Sequence, residues 1–97
     1  MGEAVSFRDQ LPVEGTWFLA RGADGYTYTR HTNTIHRRAD KEGLFTPGNF
    51  HTVVQLTHWL PLPEDAPDGH DYRYFIMAVP GHGMRLCRIG GEAGTVW

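Results

Sequence analysis

Short runs of hydrophobic and β-branched residues alternate with glycine- and proline-containing turns along most of this chain. Residues 15–22 (GTWFLARG) predict a strand. The Asp-Gly pair at 24–25 predicts a tight hairpin turn after it, because glycine tolerates the positive φ that such turns require. Tyrosine and threonine alternate in the next stretch, 26–38, which predicts a second strand with a break near Asn33.

The clearest hairpin pattern lies in the last third of the chain. Residues 72–79 (YRYFIMAV), 80–83 (PGHG) and 84–91 (MRLCRIGG) predict strand, turn and strand. Residues 61–71 contain three prolines and predict an extended loop, because proline fixes φ and has no N–H to donate. The polar segment 39–43 (ADKEG) predicts a turn.

Residues 50–60 (FHTVVQLTHWL) fit two kinds of element. Thr46 and Pro47 match the cap and first position of a helix, and a helix over this run would have one broad apolar face. Periodicity alone slightly favours this helix. Read as a strand, the same run is rich in β-branched residues and places four apolar side chains on one side, namely Phe50, Val54, Leu56 and Leu60.

Residues 57–67 (THWLPLPEDAP) join a Thr-His-Trp triplet to a proline-rich, acidic tail. This segment closely resembles the closing signature of a phage- and prophage-associated family, the domain of unknown function 551 family. Members also tend to open with an acidic residue before Leu-Pro, followed by acidic residues, glycine and a hydrophobic strand. The similarity covers about residues 7–67, and its opening part rests on Asp9, Leu11, Pro12, Glu14 and Gly15.

The resemblance implies a viral origin and favours a strand for the run before His58. Members usually stop soon after the proline run, whereas this chain continues to Trp97, and the aromatic residue that usually opens the domain is here only Phe7. The family has no established activity, so no functional residues follow from it. We predict one domain over 1–97, with a C-terminal hairpin extension at 68–97 beyond the family-like region.

The chain has 97 residues, of which 40% are hydrophobic, which fits one folded domain. We predict a mainly β fold, with α+β as the alternative. The expected architecture is a small antiparallel sheet or partly open barrel of about five strands, with at most one short helix. Strands this short leave exposed edges, which favours a homo-oligomer.

The net charge and the cysteine content limit the classes of partner and the compartment that we expect for the chain. A formal net charge of -2 disfavours nucleic-acid binding. A single cysteine excludes an internal disulfide and favours a reducing compartment. No apolar run is long enough to cross a bilayer, so we expect a cytoplasmic protein without a membrane partner, in the host cytoplasm if it is phage-encoded.

No spacing of residues predicts catalysis or metal binding. Cys87 lies in the middle of a predicted strand, where cysteine is usually a small buried hydrophobe. His31 and His36 are five residues apart, and His51 and His58 are seven apart, so each pair points to opposite faces of a strand. If residues 50–60 form a helix, His51 and His58 are about 10 Å apart along it. We therefore predict no catalytic residue, no metal and no cofactor.

Arginines and tyrosines interleave along the predicted strands, and together they suit an anionic, planar ligand. They suit an ordinary solvated face of a sheet equally well. At the end of the 50–60 run, an imidazole and an indole lie side by side and are suited to stacking on a base or sugar. The favoured alternative is that the indole packs across Pro61 and Pro63 while the histidine caps the corner. The candidate ligand-binding residues are His58, Trp59, Tyr26, Tyr28, Arg30, Arg73 and Arg85.

These observations predict a phage accessory protein that acts by stoichiometric binding. Its partner would be a small anionic ligand, such as a signalling nucleotide, or a host protein, and binding would counteract host defence or redirect the host. Enzyme activity is not expected, because acid–base and nucleophilic catalysis need paired groups that the sequence does not place together. The alternative is a small histidine-dependent hydrolase acting on a nucleotide-like ligand.

Overall fold

The structure is a computed structural model that describes residues 2–63, 74–88 and 95–96. It confirms the predicted mainly β class, since a curled antiparallel sheet of five strands forms a half-barrel. Helical structure in the described ranges is limited to two 3-10 turns, Thr32–Thr34 and Asn49–His51. The strands are β1 (Val5–Ser6), β2 (Trp17–Gly22), β3 (Thr27–His31), β4 (His36–Arg38), β5 (Lys41–Pro47), β6 (Val53–Pro61), β7 (Tyr74–Val79), β8 (Gly83–Arg88) and β9 (Thr95–Val96).

The strands of the half-barrel follow the order β3-β2-β6-β5-β4, and all neighbours are antiparallel. β3 and β4 follow each other in the chain yet lie at opposite ends of this order. Only residues 32–35 connect them, so the sheet must curl until its two edges come close. Arg30 spans the gap, because its Nε donates to Thr46 Oγ1 at 2.9 Å and its Nη2 to the Pro47 carbonyl at 2.9 Å.

This closure corrects two sequence predictions. The predicted strand over 26–38 does break at Asn33, but its halves run to opposite edges of the sheet rather than continuing one another. The predicted turn at 39–43 is shorter than expected, because Arg38 and Lys41 already face each other across the β4–β5 hairpin. Residues 41–43 belong to β5, a strand that the sequence did not predict.

The ambiguous run is resolved as strand β6, and the helical interpretation is wrong. Its side chains do not alternate regularly, because the register against β2 jumps at Thr57, the position of a β-bulge. The extra residue reverses the alternation, so Leu56 and Trp59 both face the interior of the half-barrel, while Leu60 faces outward. The prediction that Leu60 shares a side with Leu56 is therefore wrong.

Two apolar clusters cover the two faces of the sheet. β2 is buried on both sides, with Phe18, Leu19 and Ala20 at most 2% exposed, which explains why its sequence is a continuous apolar run. The inner cluster contains Phe7, Phe18, Ala20, Tyr28, Leu44, Val54, Leu56 and Trp59. The outer cluster, formed with the β7–β8 hairpin, contains Leu19, Leu60, Tyr74, Ile76 and Leu86.

The predicted C-terminal hairpin is confirmed over its described part, β7 and β8, with glycines of positive φ at its turn. Its attachment to the half-barrel is centred on Ile76. The Thr27 hydroxyl donates to the Ile76 carbonyl and accepts from the Ile76 N–H, at 3.1 and 2.8 Å, and Arg21 Nη1 also donates to that carbonyl at 2.8 Å. Across the described ranges, no helix is long and apolar enough to cross a membrane.

Candidate functional site

Six of the seven candidate ligand-binding residues lie in the described ranges, and the structure spreads them over different surroundings. Arg73 lies outside the described residues. Trp59 is only 6% exposed, and its Nε1 donates to the Gln10 carbonyl at 2.9 Å. Its ring meets Phe7 and Phe18 at centroid distances of 6.4 and 6.3 Å, whereas the sequence interpretation had placed it on prolines. Trp59 is thus a core residue of the half-barrel.

Tyr28 and Arg30 do lie together, in the inner wall of the half-barrel. The Arg30 guanidinium is 4.8 Å from the centre of the Tyr28 ring, and its Nη1 donates to the Thr29 carbonyl at 2.8 Å. The Tyr28 hydroxyl donates to the Asp24 carboxylate. Burial and this hydrogen bond raise the pKa of Tyr28 to about 12, so the phenol stays neutral. Both side chains are committed to contacts within the fold.

The remaining candidates are further dispersed. Tyr26 is 65% exposed in the turn before β3, whereas Tyr28 is buried. Arg85 lies half-buried on β8 opposite Glu3, and its Nε has no hydrogen-bond partner among the described residues.

Burial raises the pKa of the neighbouring Cys87 thiol, against an opposing effect of Arg85. Cys87 is a protonated core side chain.

A cleft of about 740 Å³ runs along β6, between β1 and the β4–β5 hairpin. It opens because two different strands pair with the same edge of β6: β5 with Val53–Leu56 and β1 with His58–Trp59. Buried side chains of the inner cluster form its apolar floor, and exposed charged side chains stand around them. We call it the basic cleft, with a floor of Phe7, Leu44 and Leu56 and a rim of Arg8, Arg37, Arg38, Lys41 and Glu42.

Two short turns place the cations of the basic cleft. The two-residue turn at 39–40 brings Arg38 opposite Lys41 at the end of the β4–β5 hairpin. Arg8 follows β1 in a turn in which its N–H donates to the Ser6 hydroxyl at 3.2 Å. Because β1 and β5 pair with the same strand, residues about 30 positions apart line one cleft.

The cations of the rim differ in how far they are already neutralised. Arg38 Nε lies 3.1 Å from Asp40 Oδ1, and this hydrogen bond holds the pKa of Asp40 below its ordinary value. Arg8, Arg37 and Lys41 have no ion pair with any described residue. The cleft therefore concentrates positive charge in a chain whose formal net charge is -2.

His58 also lines the basic cleft, and it is the one of the six described candidate residues found there. Its Nδ1 is buried and has no hydrogen-bond partner in the described part of the chain. Burial lowers the pKa of His58 first, followed by the charge of Arg21 directly across on β2, and Asp9 opposes them. The imidazole is therefore neutral at pH 7, which leaves one donor and one acceptor nitrogen.

Comparisons with protein-family models, with curated proteins and with solved structures gave no match for this chain. The resemblance of residues 7–67 to a phage-associated family stays a prediction from the sequence motifs. The function therefore has to be inferred from the chemistry of the basic cleft.

Proposed function

We propose that this protein binds a small anionic ligand stoichiometrically in the basic cleft. The observation that carries the proposal is the set of four cationic side chains around an apolar floor, in a chain with a negative net charge. A volume of about 740 Å³ is within the range of small-molecule sites. Guanidinium groups bind phosphate and carboxylate through paired, charge-assisted hydrogen bonds.

The composition of the cleft favours a ligand with two chemically different parts. Arg8, Arg37 and Lys41 suit an anionic group such as a phosphate, because none of them forms an ion pair with a described carboxylate. The floor around Phe7 suits a planar, apolar body, whose burial adds affinity in proportion to the covered area. A nucleotide-like molecule combines both parts.

The hydrogen bonds of the hydroxyl groups in the cleft support binding of a ligand without turnover. The Ser6 hydroxyl accepts from the Arg8 N–H, and the Thr57 hydroxyl donates to the Arg21 carbonyl at 3.2 Å. Neither forms a hydrogen bond with His58, whose Nδ1 has no described partner. Nucleophilic catalysis needs a nucleophile within reach of a base. With the viral origin that residues 57–67 indicate, we propose that the protein sequesters a host signalling nucleotide and so counteracts host defence.

The experiment is a titration of the isotopically labelled full chain with adenosine monophosphate, adenosine and inorganic phosphate, followed by amide chemical shifts. We expect adenosine monophosphate to change the amide chemical shifts of residues 6–8 and 37–44. It should bind at least about tenfold more tightly than adenosine or phosphate, because only the nucleotide contacts both the rim and the floor of the cleft. Arg37→Gln should weaken binding by about tenfold. Asn33→Asp, an exposed change outside the cleft with the same effect on net charge, should leave it unchanged.

Recovery of the ligand separates the two functional classes. Unmodified nucleotide after incubation supports sequestration. Conversion at sub-stoichiometric protein supports the histidine-dependent hydrolase instead. If none of the three probes changes the amide chemical shifts of the cleft residues at millimolar concentration, a nucleotide-like ligand is contradicted.

A further inference from the structure

The turn between β5 and β6 exposes a phenylalanine. Phe50 is 95% exposed, the highest value among the large hydrophobic residues that the structure describes. Its backbone is left-handed, with φ 56° and ψ 41°, and His51 follows with φ 59°. Large side chains rarely adopt this region, because their Cβ approaches the backbone too closely. The fold therefore keeps an apolar ring in water by means of an unfavourable backbone conformation.

Hydrogen bonds across the turn fix this conformation. The Gly48 N–H donates to the Thr52 carbonyl at 2.8 Å, and the Thr52 N–H and hydroxyl both donate to the Asn49 carbonyl. A Cβ on Gly48 would lie 2.5 Å from Val54 Cγ2 and 2.7 Å from Thr52 Oγ1, so glycine lets the turn close onto β6. The exposure of Phe50 is thus built into the turn.

A mainly apolar hollow lies beside this ring. Its volume is about 520 Å³, and Tyr26 and Val53 at its edge are 65% and 47% exposed. The one ionisable acid in its wall, Asp24, already accepts hydrogen bonds from the Tyr28 hydroxyl and the Tyr26 N–H. We call this surface the Phe50 face; it comprises Ala23, Asp24, Tyr26, Asn49, Phe50, Thr52, Val53 and Val54.

We infer that the Phe50 face binds a second copy of this chain. A protruding ring next to an apolar hollow is self-complementary: around a two-fold axis, each copy inserts its Phe50 into the hollow of the other. Among the described residues, no lysine or arginine lines the face and Asp24 is its one acid, so the contact between two copies is mainly apolar. The rim of the basic cleft, by contrast, would repel its own copy.

The exposed area sets the strength of this contact. The three apolar side chains Tyr26, Phe50 and Val53 can bury roughly 450 Å² per copy, or roughly 900 Å² in total. Stable complexes bury about 1,200–2,000 Å². The dimer should therefore be weak, forming in the micromolar to millimolar range and dissociating on dilution.

The test is sedimentation of the full chain from ~10 µM to ~1 mM, with a dissociation constant on the order of 100 µM expected. Phe50→Asp should weaken association at least about tenfold, because it places a charge in the apolar contact. Val13→Asp is the matched control: Val13 is 71% exposed and lies outside the Phe50 face, so association should stay at the wild-type level. In a mixed-label sample, contacts between Phe50 of one copy and Tyr26 of the other should be observed by NMR.

Aspartate tolerates left-handed backbone better than phenylalanine does, so Phe50→Asp should fold, and Tyr26→Ser provides a second variant with a smaller loss of association. A wild-type chain that stays monomeric at ~1 mM overturns the inference. So does an equal loss of association in Val13→Asp and Phe50→Asp. Binding of Phe50 to lipid vesicles by a monomer that does not self-associate also overturns it.

Discussion

β6 has an aromatic residue near each end, and the two have opposite environments. Phe50, three residues before the strand, is 95% exposed, whereas Trp59, two residues before its end, is 6% exposed. Both are large, and both have a histidine as a chain neighbour, His51 and His58 respectively. Local composition therefore does not separate them. The backbone does, through a left-handed turn at one end and a β-bulge at the other.

The comparison shows that register decides which aromatic residue joins the core. Without the extra residue at Thr57, the alternation set by Leu56 would turn Trp59 toward the outer face. The bulge instead directs the indole to Phe7 and Phe18. At the other end, the closed turn holds Phe50 away from both clusters. Hydrophobicity makes burial favourable, and backbone geometry determines whether it is reached.

The largest effect is expected from Trp59→Ala. Removing a buried indole leaves a cavity and an unpaired Gln10 carbonyl, so the free energy of unfolding should fall by about 3–5 kcal/mol and Tm by more than about 10 °C. Thermal denaturation measures this. Trp17→Ala is the matched control, because Trp17 is 47% exposed, and its loss should cost less than about 1 kcal/mol. Equal effects at the two tryptophans would contradict a core role for Trp59.

The next effect concerns Gly22, which pairs with Leu56 beside the bulge. A Cβ there would lie 2.7 Å from Val54 Cγ1 and 2.9 Å from Tyr28 Cε2. Gly22→Ala should therefore overpack the interior and lower the free energy of unfolding by about 1–3 kcal/mol, measured by chemical denaturation. A neutral or stabilising Gly22→Ala would show that the interior at this end of β6 has room to adjust.

At the exposed end of β6, a substitution should raise the free energy of unfolding rather than lower it. Phe50→Gly removes the left-handed strain of about 1–2 kcal/mol, offset by about 0.5–1 kcal/mol of added chain entropy in the unfolded state. The net expectation is a gain of about 0.5–1 kcal/mol in the free energy of unfolding, measured at a dilution where the chain is monomeric. Phe50→Ala keeps the strain and should show no such gain. If both variants behave alike, the turn is not strained.

The smallest effect concerns the histidine beside Trp59. The folded state lowers the pKa of His58 below 6.5, so the unfolded chain binds more protons as the pH falls through and below that value. Stability should be fully present above about pH 6.5 and should decline below it. In His58→Gln, Tm between pH 7.5 and 5 should fall less than in the wild type. His36→Gln, an exposed position on β4, should follow the wild-type profile.

Local turn chemistry was sufficient to predict the two hairpins β2–β3 and β7–β8, because an Asp-Gly pair and a Pro-Gly turn set them within a few residues. β1 and β5 were not predicted. β1 has only two residues, and the end of β5 has the Thr-Pro-Gly-Asn pattern that also begins helices. The bulge at Thr57 depends on pairing with a strand about 35 residues earlier, so no local pattern reveals it.

The candidate site was less predictable than the fold. His58 was found from the sequence, but Arg8 and the cations at 37–41 were not selected, since they are distant in the chain and meet only because β1 and β5 share β6. The closest available signal was the pair Arg37-Arg38 followed by Lys41 across a polar turn. Arg30 and Tyr28 carried the expected chemistry, but their hydrogen bonds serve the closure of the half-barrel.

The central place of β6 has a consequence for how the chain folds during synthesis. The β2–β3 and β4–β5 hairpins are complete by residue 47, yet neither pairs with the other; both pair with β6, which comes last among these strands. On the ribosome, the two hairpins would remain separate units with exposed apolar faces until β6 has emerged from the exit tunnel as far as Pro61. Folding of the half-barrel should then be a late, cooperative step, and chains arrested before β6 should be prone to aggregation and proteolysis.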